Sequence, residues 1–186
     1  MVRGRAVLAA VAALAAVTPA RAADPGRWTE TGRSTIPLYY YQGVASDPAK
    51  RLFFDGVHVG LYRTDPLLNE TARNDDVIPP DVHARERYNH IGDIAWDARE
   101  GGRIILPLEC YYPRSAPGTD DTGNPCRHGS FGVADPDTLQ WRYYVKIDPA
   151  AMAKAMWVAV SPDGEPGVVG DREGPVRLRP RRHQRR

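Results

Sequence analysis

Apolar and polar side chains alternate with a period of two, in short runs broken by turn residues, from about residue 36 to about residue 160. The clearest runs are residues 90–96, His-Ile-Gly-Asp-Ile-Ala-Trp, and residues 103–109, Arg-Ile-Ile-Leu-Pro-Leu-Glu. The polar turn at residues 97–102 ends in two glycines and joins them into a predicted β-hairpin. Earlier strands are predicted at residues 36–45, 51–56 and 57–63, with Asp47 and Pro48 setting the first turn. Later strands are predicted at 129–134 and 139–147, around the turn Asp135-Pro136-Asp137-Thr138, and at 155–160. Residues 148–154 predict one helical turn with Asp148 as N-cap and Pro149 at the first helical position. Residues 64–87 are long, polar and proline-containing, and read as a loop.

One unit recurs. A small-and-apolar strand runs into an Asp/Pro/Gly turn at residues 43–48, 92–97, 132–137 and 157–164. Such repetition predicts an all-β array of antiparallel sheets, each leaving an apolar face for its neighbour to cover. Four strands are expected between His90 and Ile147, the number in one propeller blade. The Val-Ala-Val-Ser-Pro-Asp-Gly stretch at 158–164, with the strand-plus-turn forms at 43–48 and 92–97, resembles a bacterial secreted β-propeller of the WD40-like/YVTN repeat type. Trp96-Asp97 sits at a first turn, unlike the dipeptide that closes a later strand in WD40 repeats. The resemblance covers residues 36–165 and implies a partial β-propeller, about two blades and the start of a third. A ring needs at least four blades, so the expectation is a piece of a longer propeller whose open edges and uncovered face favour self-association.

The ends change the picture. Residues 1–22 have a basic start, an apolar Ala/Val/Leu run and an Ala-Arg-Ala site, and read as a cleaved signal peptide. The run is too short for a membrane span, and no later stretch is apolar enough for one. The mature chain is therefore expected to be secreted or periplasmic, with residues 23–35 an irregular lead-in. Residues 166–186 hold seven arginines and read as a disordered Arg/Pro-rich tail. Two origins are open: a basic arm for an anionic partner, or translation out of frame in a GC-rich gene. The second is favoured, because the chain uses only three lysines, Lys50, Lys146 and Lys154. With the signal at +3 and the tail at +5, the chain's net +2 leaves −6 on residues 23–165. An acidic body excludes nucleic acid as the expected partner; a protein or a small molecule remains.

Candidate chemistry is sparse. In a propeller the first strand of each blade lines the central channel. His90, Asp93 and Glu109 on the central hairpin are therefore the best candidates for a polar site that could bind calcium or position a water there. The alternative is that they tie neighbouring segments together by hydrogen bonds. Export permits a disulfide between Cys110 and Cys126, worth on the order of 3 kcal/mol by loop entropy; metal ligation by the pair would need two further ligands. Residues 120–124, Asp-Asp-Thr-Gly-Asn, resemble a calcium loop only loosely, and Asn69-Glu70-Thr71 is a glycosylation sequon. Ser130, His128 and Asp135 are close in sequence without forming a triad pattern, and no nucleophile elbow is present. The tyrosines at 39–41, 111–112 and 143–144 predict packing between sheets or a stacking surface. These readings point to an exported binding or scaffold module, with a metal-assisted hydrolase or lactonase as the alternative.

Overall fold

The computed structural model describes residues 29–30, 32–56, 59–110, 128–152, 154–161, 168–171 and 174–177. The signal segment expected at 1–22 lies outside them. The chain divides into two units, Met1–Ser34 and Thr35–Arg186. In the first, the described residues hold an exposed ion pair between Arg33 Nε and Glu30 Oε1 at 3.1 Å.

The second unit is all-β, built of three antiparallel sheets. Sheet 1 is a meander of β1 (Tyr40–Ser46), β2 (Leu52–Gly56), β3 (Leu61–Thr64) and β4 (Glu70–Asn74). In sheet 2, β5 (His90–Ile91) and β6 (Ala95–Asp97) both pair with β7 (Arg103–Glu109), followed by β8 (Ser130–Ala134) and β9 (Trp141–Lys146). Since β5 and β6 lie along the same edge of β7, this sheet has four strand lines. Sheet 3 runs β10 (Trp157–Ala159), β11 (Val168–Asp171) and β12 (Gly174–Arg177).

Alternation along β7 explains the layering. Ile104, Leu106 and Leu108 face sheet 1 and join Phe53, Leu61, Ile91 and Ile94 in the main core. Ile105 points the other way and packs with Phe131, Val133, Ile147 and Met152, against which Val158 and Val160 lie. Sheet 2 is therefore a middle layer covered on both faces, which is why β7 reads as an almost continuous apolar run. On the outer face of sheet 1, Tyr40, Phe54 and Tyr62 form a third cluster, with the Tyr40 and Phe54 rings stacked at 4.4 Å.

Side chains from sheet 1 also grip the β8–β9 turn. Arg63 of β3 donates to the carbonyl oxygens of Pro136 and Asp137 at 3.0 and 2.7 Å. Asn74 of β4 donates to the Leu139 carbonyl at 2.8 Å. Within the turn, Asp135 accepts the amides of Asp137 and Thr138.

The structure departs from expectation in three places. Residues 64–87 are not a loop: they contain β4 and a short helix, α1 (Pro80–Glu86), whose Val82 enters the main core. The β4 sequence, Glu-Thr-Ala-Arg-Asn, hides its strand character because Ala72 alone packs on the core. Within the expected disordered tail, residues 168–171 and 174–177 form strands, and the rest of 166–186 lies outside the described residues. Val168 to Gly170 pair with β10, and the chain returns as β12 through register pairs from Asp171–Gly174 to Val168–Arg177. The arm 90–96 is interrupted rather than continuous. As expected, Asp148 caps a turn, accepting the Ala150 amide at 3.0 Å. Among the described residues no helix is long and apolar enough to cross a membrane.

Candidate functional site

The three sheets converge at the break between β5 and β6. Ile91 pairs with Leu108 and Ala95 with Ile105, so Gly92, Asp93 and Ile94 stand opposite only Leu106 and Pro107. This is a one-residue bulge. Proline causes part of it: Pro107 accepts the Gly92 amide at 3.0 Å but has no N–H to return. The freed main chain of Asp93 turns to sheet 3. Its amide donates to the Met156 carbonyl at 3.0 Å, its carbonyl accepts the Val158 amide at 3.3 Å, and Asp93 forms a parallel bridge with Trp157. Sheet 1 reaches the same point through Gly43. A Cβ on Gly43 would lie 2.8 Å from Asp93 Cα and from Ile94 N, so only glycine lets β1 come this near.

Asp55 of β2 sits at this seam and is 0% exposed. A second bulge faces it: Tyr40 pairs with Gly56 and Val44 with Phe54, leaving residues 41–43 opposite Asp55. Its Oδ1 accepts the Gly43 amide, while Oδ2 has no hydrogen-bond partner. Burial pushes this carboxyl up to about 7, and the nearby Asp93 charge adds to the rise; amide hydrogen bonds from Gly43, Asp55 and Gln42 oppose it.

Of the three residues expected to form a site, the structure brings two together. His90 and Glu109 pair across β5 and β7, both buried, with His90 Nδ1 3.9 Å from Glu109 Oε2. Lys154 Nζ lies 2.9 Å from that same oxygen. Glu109 therefore already holds a cation, and a metal there would have to displace an ammonium group. Asp93 is exposed and contacts the neighbouring strands through its main chain. Among the described residues, no three His, Cys, Asp or Glu side chains gather as metal ligands. His90, Asp93 and Glu109 thus do not form one ligand set.

Other candidates resolve as structural contacts. The Tyr88 and Ser130 hydroxyls share a hydrogen bond at 2.5 Å in full burial, and Tyr88 Oη lies 3.3 Å from His128 Nδ1. Asp135 is held by Arg142 at 2.7 Å, so no serine triad forms. Cys110 is 3% exposed. No disulfide joins two described residues, because Cys126 lies outside them, as do residues 120–124 and Tyr111-Tyr112. Sequence reasoning missed Asp55 and Lys154. An aspartate following Leu-Phe-Phe in a buried strand is the signal for the first; the second left none. No protein-family model matches this chain, and no curated protein matches it.

Proposed function

We propose that this chain is an exported binding or scaffold module of the β-propeller type, in which the three sheets are successive blades. The observation that supports this reading is strand order. Two consecutive antiparallel meanders, each with four strand lines, bring their first strands together, and the third sheet joins them at its own first strand. Each blade buries an apolar face on the next, as repeat architectures require. A partner of protein or small-molecule class fits this reading better than a hydrolysed substrate, since the most buried acid of the expected site is neutralised by Lys154. A Cys110–Cys126 disulfide belongs to the same proposal.

The test sets this module against a metal-assisted hydrolase. The purified chain is assayed on ester and lactone substrates, with and without calcium or zinc, and its Tm is followed in parallel. The expected outcome is no metal-dependent turnover and no calcium-dependent rise in Tm. Metal-dependent turnover that Glu109→Gln abolishes would replace the module with the hydrolase.

A further inference from the structure

We propose that Asp55 is a proton-controlled latch between sheets 1 and 2, closed while its carboxyl is neutral and loosened when it ionises. The argument starts from room. Asp55 is fully buried, and its Oδ2 has no hydrogen-bond partner. An ionised oxygen in that position needs water or a donor, whereas a neutral carboxyl tolerates burial at far smaller cost. As the seam stands, Oδ2 is sealed from solvent. Beside the same carboxyl β1 packs tightly, since the position of a Cβ on Gly43 is 2.8 Å from Asp55 Oδ1, from Asp93 Cα and from Ile94 N. Hydrating Oδ2 therefore requires the packing around Asp55 to open, and the latch places that opening at the bulge of β1.

The surrounding groups set the direction. From the link between β5 and β6, Asp93 presents a second negative charge, which disfavours ionisation. From β1, the amides of Gln42 and Gly43 favour it; from β3, the residue paired with Asp55 is the apolar Leu61. The balance leaves the carboxyl titrating near 7 rather than at 3.8. A raised carboxyl means the folded state holds its proton longer than the unfolded chain does. Its stabilising effect is complete below the unfolded value of 3.8 and is lost as pH rises to about 7. The latch thus opens on the alkaline side of neutrality.

Two measurements on the folded chain test this. Carboxyl carbon NMR of the wild type is expected to give Asp55 a midpoint near 7, and Asp93→Asn, at an exposed site, is expected to move it downward. Native-state hydrogen exchange, corrected for intrinsic pH dependence, is expected to show the amides of Val44 to Ser46 losing protection by about tenfold across that midpoint. A midpoint in the ordinary carboxylate range near 4 overturns the proposal. So does unchanged protection on both sides of a midpoint near 7.

Discussion

Gly92 lies so close to Met156 that a Cβ on the glycine would stand 1.9 Å from the Met156 carbonyl oxygen. That carbonyl is the acceptor for the Asp93 amide, so the contact fixes where sheet 3 meets sheet 2. The neighbour is backbone and cannot swing away. Gly92→Ala is expected to cost about 2 kcal/mol or more, at the upper part of the range for overpacked sites. Denaturant unfolding measures the cost, and exchange at the Asp93 amide locates it. A neutral substitution would show that the two sheets do not touch here.

The Arg63 clamp separates two kinds of polar contact. Its guanidinium serves two main-chain carbonyls of the β8–β9 turn. Arg63→Met should destabilise by about 1–2 kcal/mol, because carbonyls lose their donor. Asp137 also pairs with Arg51, but its side chain is 73% exposed. Asp137→Ala should therefore cost under about 1 kcal/mol. Equal losses in the two variants, measured in urea, would contradict this ranking.

Acid stability should depend on Asp97. Burial alone would raise its carboxyl, but hydrogen bonds from Arg99 and Arg103 outweigh that and hold it at about 2. A depressed carboxyl stabilises the fold above its unfolded value of 3.8, and that contribution is lost as pH falls toward 2. Asp97→Asn is expected to cost about 2–3 kcal/mol at neutral pH, since its arginines lose a buried partner. It should also flatten the decline in Tm between about pH 4 and about pH 2. An undiminished acid limb in this variant would rule Asp97 out as its source. Asp55 acts in the opposite sense, so stability should be greatest on the acid side of neutral.

Lys154 and Glu109 make a pair whose halves are unequal to their sum. Lys154→Met removes the ammonium 2.9 Å from a buried carboxylate and should cost about 3 kcal/mol. Adding Glu109→Gln removes that charge and should restore at least half of the loss. A double-mutant cycle reads the coupling directly. Additive effects would mean that the 2.9 Å contact carries no net interaction.

The strand-and-turn rhythm is readable wherever short apolar runs are bounded by turn residues, as in β2, β7 and β8. The pairing of His90 with Glu109 follows from the predicted hairpin. Polar strands escaped detection: β4 places only Ala72 against the core, and β11–β12 sit among arginines whose composition masks the valines that pair. Lys154 was invisible as the partner of Glu109 because their contact spans a long stretch of sequence. Asp93 stands out in the sequence for its carboxylate, yet its main chain makes the connection to sheet 3. Backbone pairing across sheets leaves no signature in side-chain chemistry.

Three residues set against two is an odd mismatch, and parity governs which way a pleated strand points its side chains. Loss of one codon within 92–94 would even the count and let the first strand of sheet 2 zip along β7. The healed ladder would come at the expense of the join to Trp157. Length is thus held here as firmly as the glycines at 43 and 92. Insertions should be borne by the turns, while the spacing between Ile91 and Ala95 stays fixed.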